Sequence, residues 1–118
     1  MKVTQKQFLL FQNYCKAYQQ EFGLNHWTLY FRLKKIHSYA NNNTDDQYVA
    51  TITLADEYDK SDIDIAGGIN LHLMQTAKHE MLHVIIGKLY FLGWKRDTSS
   101  KELLSANEEA VSLLEKII

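Results

Sequence analysis

The sequence predicts an α+β domain in which an N-terminal helix, a β-hairpin sheet and two packed helices follow one another. Three observations predict it. An apolar stripe at helical spacing opens the chain, two alternating segments occupy its middle, and two further helical stretches close it. With 118 residues the chain has room for one core, so a single domain spanning 1–118 is expected.

Thr4 and Gln7 stand at the spacing of a capping box, which opens the first helix. Phe8, Phe11, Cys15, Tyr18 and Phe22 then fall on one stripe, and Gly23 suits the position just past a helix end. Cys15 lies on that stripe and reads as a small buried hydrophobe rather than a nucleophile. Trp27, Leu29, Phe31 and Leu33 alternate with Thr28, Tyr30 and Arg32, as in a half-buried strand. Ala50, Ile52 and Leu54 alternate with Val49, Thr51 and Thr53 in a second strand. The polar stretch from Asn41 to Asp46 reads as the long turn of a hairpin joining them. Asp56 to Asp64 reads as an acidic loop, and Gly67-Gly68 breaks the chain again. A long apolar helix is expected from about Asn70 to Leu92, stopped by Gly93. Ser99 with Glu102 forms another capping box and opens a last helix, whose stripe is Leu103, Ala110, Val111, Leu114 and Ile117.

Composition removes several functions. Hydrophobic residues at 46% and charged residues at 23% are ordinary for a globular chain. A formal charge of -1 supplies no bulk field towards nucleic acid or an anionic membrane, so neither partner is expected. Cys15 is the one cysteine, which excludes an internal disulfide and a thiolate-rich zinc site. Met1 to Gln7 is polar and lacks the apolar centre of a signal peptide, and no run is long enough to span a membrane. A cytoplasmic location is the expectation.

The chemistry lies in His79-Glu80-Met81-Leu82-His83. Four residues span just over one helical turn, so both histidines project from one face, about 6 Å apart along the axis. Imidazoles so placed can share one zinc ion. Glu80 is rotated about 100° from His79, beside the metal but not aimed through it. A general base that takes a proton from the attacking water must sit there. Met81, Leu82, Val84, Ile85 and Ile86 surround the motif with apolar groups, and a metal would satisfy polar side chains buried among them.

Zinc needs a third protein ligand. No histidine follows His83, and Leu89 stands where a third histidine would follow at short spacing. Downstream candidates are Asp97, Glu102, Glu108, Glu109 and Glu115. If the last two helices are antiparallel and turn near Lys95, the metal stands level with Ala110. Glu102 is then about 12 Å off level and Glu115 about 7.5 Å, whereas Glu108 and Glu109 lie within about 3 Å. Both flank the apolar stripe, and periodicity does not separate them. Gly87 falls on the metal-facing side of its helix and would let the partner helix approach closely.

The histidine motif followed by Asn107-Glu108 on a later helix resembles the gluzincin metallopeptidases. It looks most like their minimal phage and bacterial domains, distant relatives of the SprT-like and ImmA/IrrE-like proteins. The matching residues run from about Asn70 to Glu115. The resemblance implies a zincin-like fold, with His79, His83 and Glu108 as zinc ligands and Glu80 as catalytic base. In that family the third ligand is a glutamate, often preceded by Asn, with a polar supporting residue four positions later. Asn107, Glu108 and Ser112 fit, although Asp is usual at the last position; Glu109, the alternative, would place Leu113 there. The implied function is zinc-dependent hydrolysis of a peptide or protein substrate, with the strand Tyr48 to Leu54 aligning it by strand addition. The rival expectation is a zinc-binding interaction module of the same fold without hydrolytic activity.

Other features carry less. His72 and Tyr90 share the wheel position of His79 within about 20° and could each stabilise an oxyanion; a surface histidine and a packed tyrosine are the simpler readings. His26 and His37 are expected to be exposed on the hairpin. Asp62-Ile63-Asp64-Ile65-Ala66-Gly67 begins like a calcium loop but has Ala66 and Leu73 where oxygen ligands are required. Lys34-Lys35 and Lys95-Arg96 are too short to form nucleic-acid patches.

Overall fold

The first helix, α1, spans Gln5–Glu21 in the computed structural model, which describes residues 1–45 and 47–94 together with Glu108, Val111 and Glu115. Both halves of its capping box are present: Gln7 N donates to Thr4 Oγ1 at 3.1 Å and Thr4 N donates to Gln7 Oε1 at 2.9 Å. Gly23 follows in the left-handed region at φ 72°, a conformation that costs glycine little. Phe11 and Cys15 are fully buried, while Phe8, Tyr18 and Phe22 pack at the margin of the core.

Three strands form one sheet: β1 (Thr28–Lys34), β2 (Ala40–Thr44) and β3 (Val49–Ala55), in the order β1-β3-β2. The two strands expected from alternation are present, but their pairing differs from the expected β-hairpin. β1 and β3 run parallel in the register Thr28↔Val49 to Lys34↔Ala55, and β2 pairs antiparallel with the other edge of β3. β2 is built from residues read as the hairpin turn. Asparagine disfavours strands, and the segment lacks apolar alternation. Its burial alternates nonetheless, with Ala40, Asn42 and Thr44 half-buried and Asn41 and Asn43 exposed. Tertiary contacts hold it: Asn42 Nδ2 donates to the Glu80 carbonyl at 3.0 Å. Flanked on both sides, β3 is the most buried strand, with Ile52 and Leu54 fully enclosed.

The expected acidic loop contains a short helix, α2 (Lys60–Ala66). Asp62 in its first turn complements the positive helix end, and Gly67, at φ 96°, closes it by donating to the Asp64 carbonyl. The helix then turns into α3 (Ile69–Trp94), which at 1.5 Å per residue is about 39 Å long. α3 does not stop at Gly93 but includes it; one glycine costs a helix only about 1 kcal/mol. No helix among the described residues is long and apolar enough to cross a membrane.

α1 and α3 pack on each other. The core joins Phe11 and Cys15 to Ala50, Ile52 and Leu54 of β3 and to Leu73, Ala77, Met81 and Val84 of α3. β2 lies along α3, and Gly87 makes that close approach possible: a Cβ there would stand 2.5 Å from Thr44 Oγ1. The neighbour that Gly87 admits is therefore a strand, where a helix was expected. Glu108, Val111 and Glu115 are helical, and Val111 is fully buried. The turn near Lys95, the Ser99–Glu102 capping box and the stripe positions Leu103, Ala110, Leu114 and Ile117 lie outside the described residues.

Candidate metal centre

α3 carries His79 and His83 one turn apart, and their imidazole rings face each other with centroids 4.8 Å apart. The two Nε2 atoms are 3.2 Å apart. Glu108 joins them from the C-terminal segment, with Oε1 2.9 Å from His83 Nε2 and Oε2 3.8 Å from His79 Nε2. One ligand atom from each of the three residues lies within 4.8 Å of the others. Ligands at 2.0–2.1 Å around a tetrahedral ion stand about 3.3 Å from one another. With one oxygen taken from Glu108 the ligand atoms span up to 4.8 Å, somewhat wider than that value, and this nitrogen, nitrogen and carboxylate set could hold a metal ion such as zinc.

Glu115 touches His79 at Nδ1. A carboxylate there fixes the proton on Nδ1 and leaves the Nε2 lone pair pointing at the centre. Level-matching along the helices sets Glu115 aside as a ligand; the structure places it against His79 on the ring nitrogen away from Glu108. Its supporting role was missed. The signal was available, because Glu108, Val111 and Glu115 recur at i, i+3 and i+7 and share one helix face. Asn107, Glu109, Ser112 and Leu113 lie outside the described residues. Glu115→Ala should weaken zinc binding roughly 10–100-fold, the usual cost of losing such an outer partner. Competition against a chromophoric chelator measures it; unchanged affinity would show that the contact does not orient His79.

Glu80 is only 5% exposed. Burial raises its carboxyl to about 7; His79 opposes the rise, and Glu108 and Glu115 add to it. A cation held between the imidazoles would favour the carboxylate. Cys15 is also buried, and burial together with the Glu80 charge pushes its thiol far up, which makes it inert as a nucleophile.

His79, Glu80, His83, Glu108 and Glu115 line a cleft of about 1050 Å³ between β2, α2 and α3. The strand beside the cleft is β2, not Tyr48 to Leu54 as expected. β3 has both edges occupied by β1 and β2 and has no free edge for a peptide. His72 is not a surface residue: it is 4% exposed, with its ring centroid 4.7 Å from both Tyr39 and Tyr58. Burial lowers its pKa, partly offset by Asp62. The Tyr90 side chain lies outside what is described. His26 and His37 are exposed, as expected, and neither lines the cleft. Asp62 and Asp64 belong to α2 rather than to a calcium loop. No family model, no curated protein and no solved structure matches this chain.

Proposed function

We propose that the chain is a zincin-like metallopeptidase, hydrolysing peptide bonds with zinc held by His79, His83 and Glu108. The observation that carries the reading is the meeting of three zinc-compatible ligand atoms within 4.8 Å beside a buried carboxyl in an open cleft. When bound, zinc supplies a Lewis acid that activates water and polarises the scissile carbonyl.

The remaining work falls to this chain's own residues. Glu115 holds the His79 ring in the ligating tautomer. Glu80 accepts the proton of the attacking water and delivers it to the leaving amine. Its side chain leaves α3 about 100° from His79, so it acts beside the ligand set rather than within it. Asn42 ties β2 to the Glu80 backbone, which keeps strand and base in fixed relation. The second edge of β2 pairs with no other strand among the described residues. An extended peptide added to that edge would run past the metal centre.

A zinc-binding module without hydrolysis would need the same three ligands. It would have no use for a carboxyl buried at the cleft, which is costly to keep dry. The zinc-loaded chain is expected to fragment unfolded casein, and 1,10-phenanthroline is expected to stop it. Gel electrophoresis and mass spectrometry of the products check this. Casein left intact by zinc-loaded protein would favour the module instead.

A further inference from the structure

The cleft extends well beyond the metal centre. β2 lies alongside α3 with Tyr39 packed on His72, Asn42 bonded at Glu80 and Thr44 against Gly87. The far end, at His72, is therefore about 12 Å from the level of the ligands, or three to four residues of extended peptide.

That end has a distinct chemistry. Tyr39, Tyr58 and His72 form a cluster of rings, with Tyr39 and Tyr58 centroids 5.7 Å apart. The cluster is rigid, because Tyr58 donates its hydroxyl to the Tyr39 carbonyl at 2.8 Å. Tyr39 remains 47% exposed and forms part of the cleft wall. Asp62 lines the same end from α2, and its charge adds to burial in raising the pKa of the Tyr39 hydroxyl. No lysine or arginine forms an ion pair with it among the described residues. The Nδ1 atom of His72 is buried without a partner, although buried nitrogens are nearly always satisfied. Among the described residues the cleft lining contains no lysine or arginine at all.

We propose that Tyr39 and Asp62, backed by His72 and Tyr58, form a subsite for a lysine or arginine side chain of the bound peptide. The proposal rests on the peptidase reading for its substrate. Each group suits a cation. The carboxylate supplies the opposite charge and the exposed Tyr39 face is electron-rich, while the buried His72 ring fixes Tyr39 from behind. An acidic side chain would be repelled by Asp62. An apolar one would leave the Asp62 charge uncompensated. If the peptide adds antiparallel to β2, the subsite lies on the C-terminal side of the cleaved bond, because β2 runs from this end towards Gly87.

The test uses the full chain and two dye-labelled peptide libraries that differ only in a lysine or a norleucine among random neutral residues. Fluorescence anisotropy should show the lysine library binding at least about tenfold tighter, the gain of roughly 1.4 kcal/mol expected of a partly desolvated charge pair. Asp62→Asn should bring that ratio close to one, and Asp62→Glu, which keeps the charge, should retain most of it. Equal binding of both libraries to the parent would overturn the subsite, as would a lysine preference that survives Asp62→Asn. Cleavage of the same peptides, read by mass spectrometry, is a separate result. Cleavage without lysine preference refutes the subsite and leaves the peptidase standing, whereas lysine preference without cleavage supports the subsite and counts against the peptidase.

Discussion

Replacing Glu80 by glutamine is expected to lower hydrolysis by about 10²–10⁴-fold, the usual loss when a general base is removed, while zinc content stays that of the parent. The amide matches the carboxyl in size and shape, so the buried site keeps its packing. It cannot accept the proton of the attacking water at neutral pH. Zinc should be retained because Glu80 lies outside the group of three ligand atoms at His79, His83 and Glu108. Parallel measurements of casein cleavage and metal content separate the two properties. Undiminished cleavage would remove Glu80 from the mechanism. Loss of zinc would make Glu80 a ligand or a determinant of the fold, and the module without hydrolysis would gain ground.

Glu108→Ala should weaken zinc binding by more than the roughly 10–100-fold that loss of an outer partner such as Glu115 costs. It deletes the only carboxylate in the triad, which supplies a bond and a neutralising charge together. Glu108 Oε1 stands 2.9 Å from His83 Nε2, so the deletion also leaves the two imidazoles without their third corner. Glu109→Ala is expected to change affinity little. The reverse order, measured by competition with a chelator of known affinity, would move the third ligand one residue along the chain. No effect from either variant would remove the C-terminal segment from the site altogether.

Much of the site was legible because helical geometry is regular. His79 and His83 four apart have to share a face, and level-matching across two helices selects the pair Glu108 and Glu109 from the sequence alone. Resemblance to gluzincins favours Glu108, and the structure brings Glu108 to the histidines; Glu109 lies outside the described residues. The capping box at Thr4 and Gln7 was equally readable, because it is local. What could not be read depends on contacts between distant segments. Ala40–Thr44 has the composition of a turn and becomes a strand because its backbone pairs with β3 and Asn42 Nδ2 donates to the Glu80 carbonyl. That one element changes the sheet from hairpin to mixed, moves the free edge from β3 to β2, and gives Gly87 a strand as its neighbour. His72 looked like a surface histidine on a wheel. It is buried because Tyr39 and Tyr58, far away in sequence, close over it.

The most direct test of the account is the metal content of the chain itself. Native mass spectrometry of protein expressed in zinc-sufficient medium and never exposed to chelator should show one zinc per chain. The ion should be lost to 1,10-phenanthroline and regained on adding zinc, as a three-ligand site with an open fourth position requires. A metal-free chain that also fails to take up added zinc would contradict the account, leaving His79, His83 and Glu108 as a hydrogen-bonded cluster with no catalytic role.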